Sequence, residues 1–452
     1  MISVIAGSLA AAFCSRADIP QVQHIVIVVQ ENRTPDNLFQ GLPNLLPAAD
    51  IASSGLNSKN HSIDLSPVPL ANAFDLVHSH AAFQMMYNKG LMNGANLIQC
   101  IAMHAGKCPQ WPQFSYVNPS EVAPYFFIAT NYGFANRMFQ SNQGPSYPAH
   151  QFILGGTSQP HATSVFFVAD NPLNLPNGNP SGANGCDAPA NNRVMLVGPG
   201  GMSSSTYSCF EHATLTDLLD DPPPGARQGL TWRYYTPTAG SIWTAPDAIR
   251  HMCMPSGSPP KCTGPDWTNG DIVLNPAQVL SDVAQNKLAS VSWVIPTGQE
   301  SDHPGDNDGS GPSWVASVVN AIGTSAYWNS TVILIVWDDW GGWYDHVAPP
   351  IDPAYPYYEN GFRVPLLVVS PYTSPGYVSQ QTHTFGSILK FIETAYGLPL
   401  IPPGTFVDAR SDDLGDFFDF AQPPRSFTTI PAPIKTDFFL HDPRPPKGPD
   451  DD

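Results

Sequence analysis

The chain has 452 residues, of which 42% are hydrophobic and 11% aromatic, and this composition excludes an intrinsically disordered protein. Its formal net charge of −18 argues against a general nucleic-acid-binding protein and against electrostatic attachment to anionic membranes, which both need a basic surface. An anionic substrate is compatible with this charge, because bound metal ions invert the field of a carboxylate-rich pocket.

The N-terminal apolar run, Met1 to Ala17, is too short to span a bilayer. It resembles the end of a secretory signal, with small residues at Ser15 and Ala17. We therefore expect residues 1–17 to be a signal remnant and the protein to be secreted or periplasmic; a buried N-terminal strand or helix is the alternative. The rest of the sequence has no transmembrane pattern, so we expect no stable membrane insertion.

The first predicted strand covers Ile25 to Val29, a short apolar run rich in β-branched residues. Such runs are typical of strands buried on both faces of a parallel sheet. Glu31 and Asn32 follow it almost at once. Because ligands of open α/β sheets bind beyond the carboxyl ends of the strands, these two residues are candidates for chemistry.

A serine in a constrained turn is the second candidate. Ser146 follows Gly144 and Pro145, and Pro148 stiffens the chain after it. A serine needs a base or a metal to act as a nucleophile, and an ordinary loop serine is the alternative interpretation.

The cysteines indicate disulfides, since an even number remains in an exported chain once Cys14 is assigned to the signal remnant. None has the Cys-x-x-Cys spacing of a zinc site. Nearest-neighbour pairing is the simplest of the possible arrangements: Cys100 with Cys108, Cys186 with Cys209, and Cys253 with Cys262.

A second buried strand is predicted over Thr331 to Trp337 and runs directly into Asp338 and Asp339. Two adjacent carboxylates at a sheet end are costly unless a cation or a proton neutralises them, and a divalent metal is the usual solution. A turn followed by a helix N-cap is the alternative, since Asp is common there as well.

Histidines are spread through the loops, and each is compatible with an ordinary polar role. His303 is the better candidate for chemistry, because it follows a predicted strand and lies in an acidic stretch.

The remaining pattern alternates strands with helices, which predicts an α/β fold with a largely parallel central sheet. Strands are predicted over residues 290–295 and 364–369, and helices over 314–324 and 386–396. We expect one domain over residues 18–421, with a loop-rich insertion at about 155–270, and a peripheral Pro-rich tail over 422–452.

Several ordered motifs resemble the bacterial phosphoesterase family that contains phospholipases C and acid phosphatases. The resemblance extends from about His24 to Leu398, and its strongest part surrounds Asp338 and Asp339. The other matching motifs are His24 to Phe39, Asp75 to His80, Gly144 to Pro148, Arg250-His251, Ser301 to Pro304, Arg363 to Pro365, and Ser387 to Glu393.

The resemblance implies an alkaline-phosphatase-like three-layer sandwich and a metal-dependent hydrolase of phosphoric esters. It implies a serine nucleophile, Ser146, that also contacts the metal and forms a phosphoseryl intermediate. The other implied metal ligands are Glu31, Asn32, Asp338 and Asp339. The implied contacts of the phosphoryl group are His78, His251 and His303, of which His303 is a candidate acid.

The chain departs from this family at Ala149-His150, where many members have Asn-Arg, and at Phe385, where a later histidine is expected. Asp339 stands where many members have Glu. The metal is a divalent ion, with zinc, magnesium, calcium and manganese all compatible with the donor set.

Phosphomonoesters and phospholipids both remain open as substrates. A choline group would need an aromatic cage, for which the candidates are Trp232, Tyr234, Tyr235, Trp243, Trp340 and Trp343. A catalytically inactive surface or binding protein on the same fold is one alternative function. A sulfatase is another, although the arginine of the sulfatase motif is replaced by His150.

Overall fold

A computed structural model describes residues 18–174, 184–446 and 448 of the chain. The predicted signal remnant, residues 1–17, lies outside the described residues together with Cys14. Of the helices in the described ranges, none combines the length and the hydrophobicity that a bilayer span requires.

A central sheet of eight strands organises the fold. Its strands are β1 (His24–Gln30), β2 (Gly133–Ala135), β3 (Trp232–Tyr235), β4 (Ile272–Val273), β5 (Val291–Val294), β6 (Thr331–Trp337), β7 (Leu366–Val369) and β8 (Tyr377–Ser379). Their spatial order is β4-β3-β5-β1-β6-β7-β2-β8. Strands β4, β3, β5, β1 and β6 are mutually parallel, whereas β7 is antiparallel to both of its neighbours. The predicted largely parallel α/β sheet is therefore confirmed.

Strand β1, the first within the part of the chain that the structure describes, lies in the middle of this sheet, between β5 and β6. Its apolar β-branched residues are fully buried, from Ile25 to Val29. β1 and β6 pair in parallel over seven positions, from His24 opposite Thr331 to Gln30 opposite Trp337. This register decides which residues meet where the two strands end.

Every residue of β6 is buried, so both faces of the sheet are covered there, and helices form the covering layers. The helices are α1 (Pro35–Leu38), α2 (His80–Tyr87), α3 (Ala123–Asn131), α4 (Ser146–Gly155), α5 (Leu215–Asp220), α6 (Arg250–Cys253), α7 (Pro265–Thr268), α8 (Gln278–Ala284), α9 (Gly311–Gly323), α10 (Phe385–Tyr396) and α11 (Thr436–Leu440). One group packs α3, α8 and α11 around α9, and another packs α5 and α10 against α4. The arrangement is that of a three-layer α/β sandwich.

The segment 155–270, which we expected to be a loop-rich insertion, contains regular secondary structure. It contains an antiparallel hairpin, Asn192–Gly198 with Met202–Tyr207, and it supplies β3 to the central sheet. β3 forms there because its aromatic residues are buried on the sheet, with Tyr234 and Tyr235 at 1% and 0% exposure. The stretch therefore belongs to the main fold.

Short strands outside the central sheet form small ladders around it. They are Ser54–Leu56, Ser62–Asp64, Ser66–Val68, Phe74–Leu76, Cys100–Ala102, Ser115–Val117, Met138–Phe139, Phe167–Val168, Leu173–Asn174, Asn192–Gly198, Met202–Tyr207, Pro255–Ser256, Lys261–Cys262 and His383–Thr384.

The Pro-rich tail also differs from the peripheral segment that its composition predicts. Phe439 of α11 is 2% exposed and packs against Trp314 of α9 at a ring distance of 5.4 Å. Phe427 packs against Trp328 at 4.9 Å, and Ile430 is buried. Apolar side chains spaced between the prolines thus attach the tail to the helical layer.

Three disulfides confirm nearest-neighbour pairing of the cysteines. They join Cys100 to Cys108, Cys186 to Cys209, and Cys253 to Cys262.

Candidate active site

The carboxyl ends of β1 and β6 bring the predicted acidic residues together. Since Gln30 pairs with Trp337 in a parallel register, Glu31 and Asp338 follow at the same level of the sheet. Both side chains are completely buried, as are those of Asn32 and Asp339. The structure therefore contains the convergence of the two strand ends that the sequence predicted. We refer to Glu31, Asn32, Asp338 and Asp339 as the acidic group.

Backbone amides fix one oxygen of Asp338. Its Oδ1 accepts hydrogen bonds from the amides of Asn32, at 3.0 Å, and Asp339, at 2.7 Å. Its Oδ2 accepts no hydrogen bond from any described residue. The carboxylate is therefore held in a fixed orientation with one oxygen free for a ligand.

A glycine turn allows the loop after β6 to approach the loop after β1. Gly341 has φ +60°, and a Cβ added there would lie 2.4 Å from the carbonyl oxygen of Asn32. Asn32 itself adopts φ +59°, a left-handed conformation that Asn tolerates better than most residues. The Gly341 amide donates to Asp339 Oδ1 at 2.7 Å. The turn therefore positions Asn32 and Asp339 together.

Ser146 lies at the first residue of α4, and its hydroxyl reaches the acidic group. Its Oγ donates a hydrogen bond to Asp339 Oδ2 at 3.1 Å, and the side chain is almost completely buried. Pro145, with extended backbone, precedes the helix and turns the chain into it. The structure thus brings this predicted nucleophile to the predicted metal ligands.

His78 joins the group through Asn32. Its Nδ1 lies 2.7 Å from the carbonyl oxygen of Leu76, and its Nε2 lies 3.1 Å from Asn32 Nδ2. With Nδ1 as the donor to Leu76, Nε2 accepts the hydrogen bond from the Asn32 amide. The Asn32 amide then presents its Oδ1, which has no hydrogen-bond partner among the described residues, to the centre of the group.

His303 lies beside the same group. Its ring centroid is 6.4 Å from that of His78 and 6.1 Å from that of Trp243. Its Nδ1 is 2.9 Å from the Pro304 carbonyl oxygen, and its charge acts to lower the pKa of Asp339. The ring is almost completely buried.

Asp302 anchors the loop that carries His303. Its Oδ2 accepts hydrogen bonds from the Tyr125 hydroxyl, at 2.9 Å, and Trp337 Nε1, at 3.0 Å. The Arg33 guanidinium donates to the Asp302 carbonyl oxygen at 2.7 and 2.8 Å. Burial raises the pKa of Asp302 to about 6. These contacts give His303 a fixed position next to the strand ends.

The structure does not bring His251 to this group. Its Nδ1 pairs with Glu211 at 2.7 Å and its Nε2 with Asp217 at 3.1 Å, on a side chain that is 35% exposed. The hydrogen bond that His251 donates to the Asp217 carboxylate is the largest influence that raises the pKa of His251, to about 9. Its placement on α6 therefore gives it a surface ion pair in place of the predicted phosphoryl contact.

His150 is a member of the group that the sequence did not single out. Its Nε2 lies 3.3 Å from Glu31 Oε1 and 3.8 Å from Asp338 Oδ2. Burial lowers the pKa of His150 to about 4, so the ring is uncharged at neutral pH. The spacing of Ser146 and His150 was the available signal, because residues four apart share one face of a helix.

The carboxylates of Glu31, Asp338 and Asp339 lie close together and are completely buried away from solvent. Burial, followed by the charges of Asp338 and Asp339, raises the pKa of Glu31 well above its usual range. Burial and the charge of Asp338 raise the pKa of Asp339 in the same way. Within the described ranges, Glu31, Asp338 and Asp339 make no ion pair with a lysine or an arginine. A buried anionic group without such a partner needs protons or a bound cation.

The donor atoms fit a divalent cation. Glu31 Oε2, Asn32 Oδ1 and Asp338 Oδ2 are buried and accept no hydrogen bond from a described residue. Glu31, His150 and Asp338 each offer one ligand atom, and these atoms all lie within 4.8 Å of one another. Carboxylate and amide oxygens are the ligands that divalent cations use in proteins.

Two other acidic clusters lie elsewhere in the described chain. Asp36 and Asp345 are paired with Arg363, at 3.3 and 2.8 Å, so an arginine offsets their charge, unlike that of the strand-end group. In the second cluster, His383 lies 2.8 Å from Asp412 and 3.8 Å from the Asp416 carboxylate.

A groove of about 400 Å³ lies on the far side of the buried Trp340 ring from His78. One of its lining residues, Phe83, packs at 6.1 Å on the ring of Trp340, which lies 6.0 Å from His78. Its walls are mainly apolar, and the side chains that form them include Phe83, Tyr87, Val197, Pro350, Ile351 and Tyr357.

Of the six aromatic residues that were candidates for a choline cage, only Trp243 and Trp340 flank the histidines of the group. Trp232, Tyr234 and Tyr235 form β3, and Trp343 stacks on the Arg33 guanidinium at 5.0 Å.

The sequence of the chain is similar to a known protein family and to several named proteins. The model of the Phosphoesterase family matches residues 22–399. A protein of Pseudomonas aeruginosa named non-hemolytic phospholipase C is 25% identical, over 98% of this chain and 66% of its own length. Phospholipase C B of Mycobacterium tuberculosis is 22% identical, over 90% of this chain and 79% of its own length. The chain thus spans 66% of the length of the Pseudomonas relative.

A solved structure from Vibrio parahaemolyticus, described as a protein in the alkaline phosphatase superfamily, covers 88% of this chain. It aligns over 70% of its own length, with 9% sequence identity and a TM-score of 0.39.

Proposed function

Because the chain belongs to the Phosphoesterase family, we propose that it is a metal-dependent hydrolase of phosphoric esters with Ser146 as its nucleophile. The observation that carries the proposal is the 3.1 Å hydrogen bond from Ser146 Oγ to Asp339, inside a buried acidic group. A serine next to carboxylates that lack a cationic partner has the surroundings that a metal-activated nucleophile requires.

The residues that would hold the metal are Glu31, Asn32, Asp338, Asp339 and Ser146. A divalent ion bound there would supply a Lewis acid for the phosphoryl oxygens and would favour the ionised form of the serine hydroxyl. Its identity stays open among zinc, magnesium, calcium and manganese, since all accept carboxylate and amide oxygens.

In the first half of the proposed reaction, Asp339 accepts the proton of the Ser146 hydroxyl. The Oγ forms a bond to phosphorus while the bond between phosphorus and the ester oxygen breaks. His303, in its protonated form, gives a proton to the departing alkoxide, and His78 lies where it stabilises charge on the phosphoryl oxygens. The products of this step are an alcohol and a phosphoseryl enzyme.

In the second half, water attacks the phosphorus of the phosphoserine. The neutral His303 accepts a proton from this water, and the bond between phosphorus and Ser146 Oγ breaks. Asp339 returns the first proton to the serine, and His303 is protonated again. The cycle releases phosphate or a phosphate monoester and leaves the side chains as they began.

We assign a phospholipid, in preference to a small water-soluble phosphomonoester, as the substrate. The relatives from Pseudomonas and Mycobacterium are named phospholipases C, and both cover most of this chain. The apolar groove beside Trp340 supports the assignment, because it offers a surface for the diacylglycerol part of such a substrate. Three disulfides support a secreted or periplasmic location, where disulfides persist.

The replacement Ser146→Ala tests the nucleophile. We expect kcat/KM to fall by at least about 10³-fold, because the covalent step is lost. The measurement is hydrolysis of p-nitrophenyl phosphorylcholine and p-nitrophenyl phosphate after loading with each of the four metals. A preference for the phosphorylcholine ester supports the phospholipid assignment, and a preference for the monoester contradicts it.

Ser158→Ala is the matched control. Ser158 is equally buried, but its hydroxyl donates to the Val168 carbonyl oxygen at 3.4 Å and does not contact the acidic group. It should keep the activity of the unaltered protein. Full activity in Ser146→Ala, or no hydrolysis and no bound metal in the unaltered protein, would overturn the proposal and favour a binding protein on this fold.

A further inference from the structure

A buried histidine, His150, places a ring nitrogen next to the acidic group. His150 lies one helical turn after Ser146 on α4, and every residue of that helix is buried. Its Nε2 is directed at Glu31 Oε1 and Asp338 Oδ2, at 3.3 and 3.8 Å. One turn of α4 therefore delivers both the nucleophile and an imidazole to the strand ends.

We propose that His150 is a metal ligand and makes the site one for a transition metal such as zinc. The inference rests on the proposed function, since it concerns the same cation. It adds a nitrogen donor to a set that otherwise consists of oxygen atoms, and it selects among the metals that the oxygen donors leave open.

The distances agree with coordination by a single ion. Neighbouring ligand atoms that lie 2.0–2.2 Å from one zinc ion are about 2.8–3.6 Å apart, from octahedral to tetrahedral geometry. The separation of His150 Nε2 from Glu31 Oε1, 3.3 Å, falls in this range, and its 3.8 Å separation from Asp338 Oδ2 is slightly longer. A separation of 3.3 Å is at the same time long for an N–H···O hydrogen bond.

The surroundings favour coordination over an ion pair. His150 is almost completely buried, next to Glu31 and Asp338. Glu31 Oε2 and Asp338 Oδ2 are also buried without a hydrogen-bond donor. A cation shared by His150 and the two carboxylates would stabilise this buried cluster, which has no lysine or arginine partner among the described residues.

A nitrogen donor changes the selectivity of the site. Magnesium and calcium prefer oxygen ligands, whereas imidazole is a good ligand for zinc and related transition metals. We therefore expect the unaltered protein to bind zinc more tightly than calcium or magnesium. In His150→Gln we expect zinc affinity to fall by about 100-fold, and calcium affinity to change by less than about threefold.

The experiment is X-ray absorption spectroscopy of the zinc-loaded protein, together with zinc and calcium titration by calorimetry. Imidazole scattering at about 2.0–2.1 Å is expected in the unaltered protein, with one imidazole fewer in His150→Gln. The matched control is His212→Gln. His212 is also a buried histidine with an unpaired Nε2, but its Nδ1 contacts the Ala213 carbonyl oxygen and not the acidic group.

The possible outcomes separate this inference from the proposed function. A zinc shell without any imidazole in the unaltered protein overturns the inference even if His150→Gln fails to fold. An unchanged imidazole count in His150→Gln also overturns it, while ester hydrolysis by the unaltered protein leaves the proposed function standing. If the unaltered protein binds no metal and hydrolyses neither ester, both fail together.

Discussion

At the residue scale, the chemistry of the site is set by the side-chain atoms that have no hydrogen-bond donor. Asp338 Oδ1 is occupied by two backbone amides, whereas its Oδ2 is free. The Asn32 amide donates to His78, which leaves its Oδ1 free in the same way. Asp338 and Asn32 thus each use one polar atom for positioning and keep another, without a hydrogen-bond partner among the described residues, for a ligand.

His251 has a structural role that its pKa makes testable. Its folded-state pKa of about 9 lies above the ordinary value, so its ion pairs with Glu211 and Asp217 stabilise the fold below about pH 6.5. This stabilisation is lost as the pH rises through about 9. We expect His251→Gln to lower Tm at pH 6, to leave Tm unchanged at about pH 10, and to leave ester hydrolysis unaffected.

Thermal unfolding of both proteins across this pH range, with parallel rate measurements, checks the expectation. A variant with unchanged Tm and strongly reduced hydrolysis would instead support the catalytic role that the motif Arg250-His251 predicted.

The sequence motifs identified the strand-end residues of the site, but they did not identify His150 and they misplaced His251. The adjacent carboxylates after β6 and the polar pair after β1 were predicted as one group, because apolar runs indicate buried parallel strands and ligands bind at the carboxyl ends of such strands. His150 was passed over, since its loop offered no sign that Ser146 begins a helix. His251 was misplaced, since a resemblance in sequence does not report the carboxylates of α5 and its neighbourhood that surround it.

At the element scale, the loop after β6 depends on a close approach that only glycine permits. Gly341→Ala adds a Cβ 2.4 Å from the Asn32 carbonyl oxygen, at a residue with φ +60°. We expect Asn32 to be displaced and kcat/KM to fall by about 100-fold, a loss typical of small misplacements at a reacting centre.

Gly200→Ala separates this effect from the cost of the backbone conformation. Gly200 has φ +69°, and an added Cβ meets nothing within 4 Å. Both variants should lose stability in urea unfolding, Gly341→Ala the more because of its close contact with Asn32, but only Gly341→Ala should lose activity. Equal activities in the two variants would show that the approach to Asn32 does not matter.

The C-terminal helix α11 is part of the core. Phe439 is 2% exposed and contacts Trp314, whereas its neighbour Phe438 is 41% exposed. We expect Phe439→Ala to reduce the free energy of unfolding by about 3–5 kcal/mol, as for a buried aromatic residue, and Phe438→Ala by less than about 1 kcal/mol. Urea denaturation of the two variants is the measurement, and equal losses would mean that the tail is peripheral after all.

The elements that the sequence predicted best were those buried on all sides. β1, β6, α9 and α10 were found close to their predicted bounds, because long apolar patterns leave few alternatives. β3 and α11 were missed, because Trp232–Tyr235 and Thr436–Leu440 are short and lie between prolines and polar loops. Their structure depends on partners distant in the chain, which a local pattern does not show.

At the scale of the whole molecule, the acidic group couples metal binding to stability. Glu31 and Asp339 have raised pKa values in the fold, so the folded protein binds protons more tightly there than the unfolded chain does. Without metal, this contribution to stability declines as the pH rises above about 4, the ordinary carboxyl value, toward the raised values.

We therefore expect removal of the metal by a chelator to destabilise the protein more at pH 8 than at pH 5. A divalent ion at about 100 times its Kd should restore about 2.7 kcal/mol at pH 8. The measurement is the urea midpoint with and without chelator. The double variant with Glu31→Gln and Asp339→Asn should not respond, and an unaltered protein equally indifferent to the chelator at both pH values would contradict the coupling.

The position of β1 in the sheet has a consequence for biosynthesis. It is the first strand of the described residues, yet both of its neighbours, β5 and β6, are translated only after residue 290. A nascent polypeptide therefore carries β1 as an unpaired, aggregation-prone hydrophobic segment through most of its synthesis. We expect such a chain to depend on a holding chaperone until β5 and β6 are translated, because the strand-end acidic residues cannot come together before then.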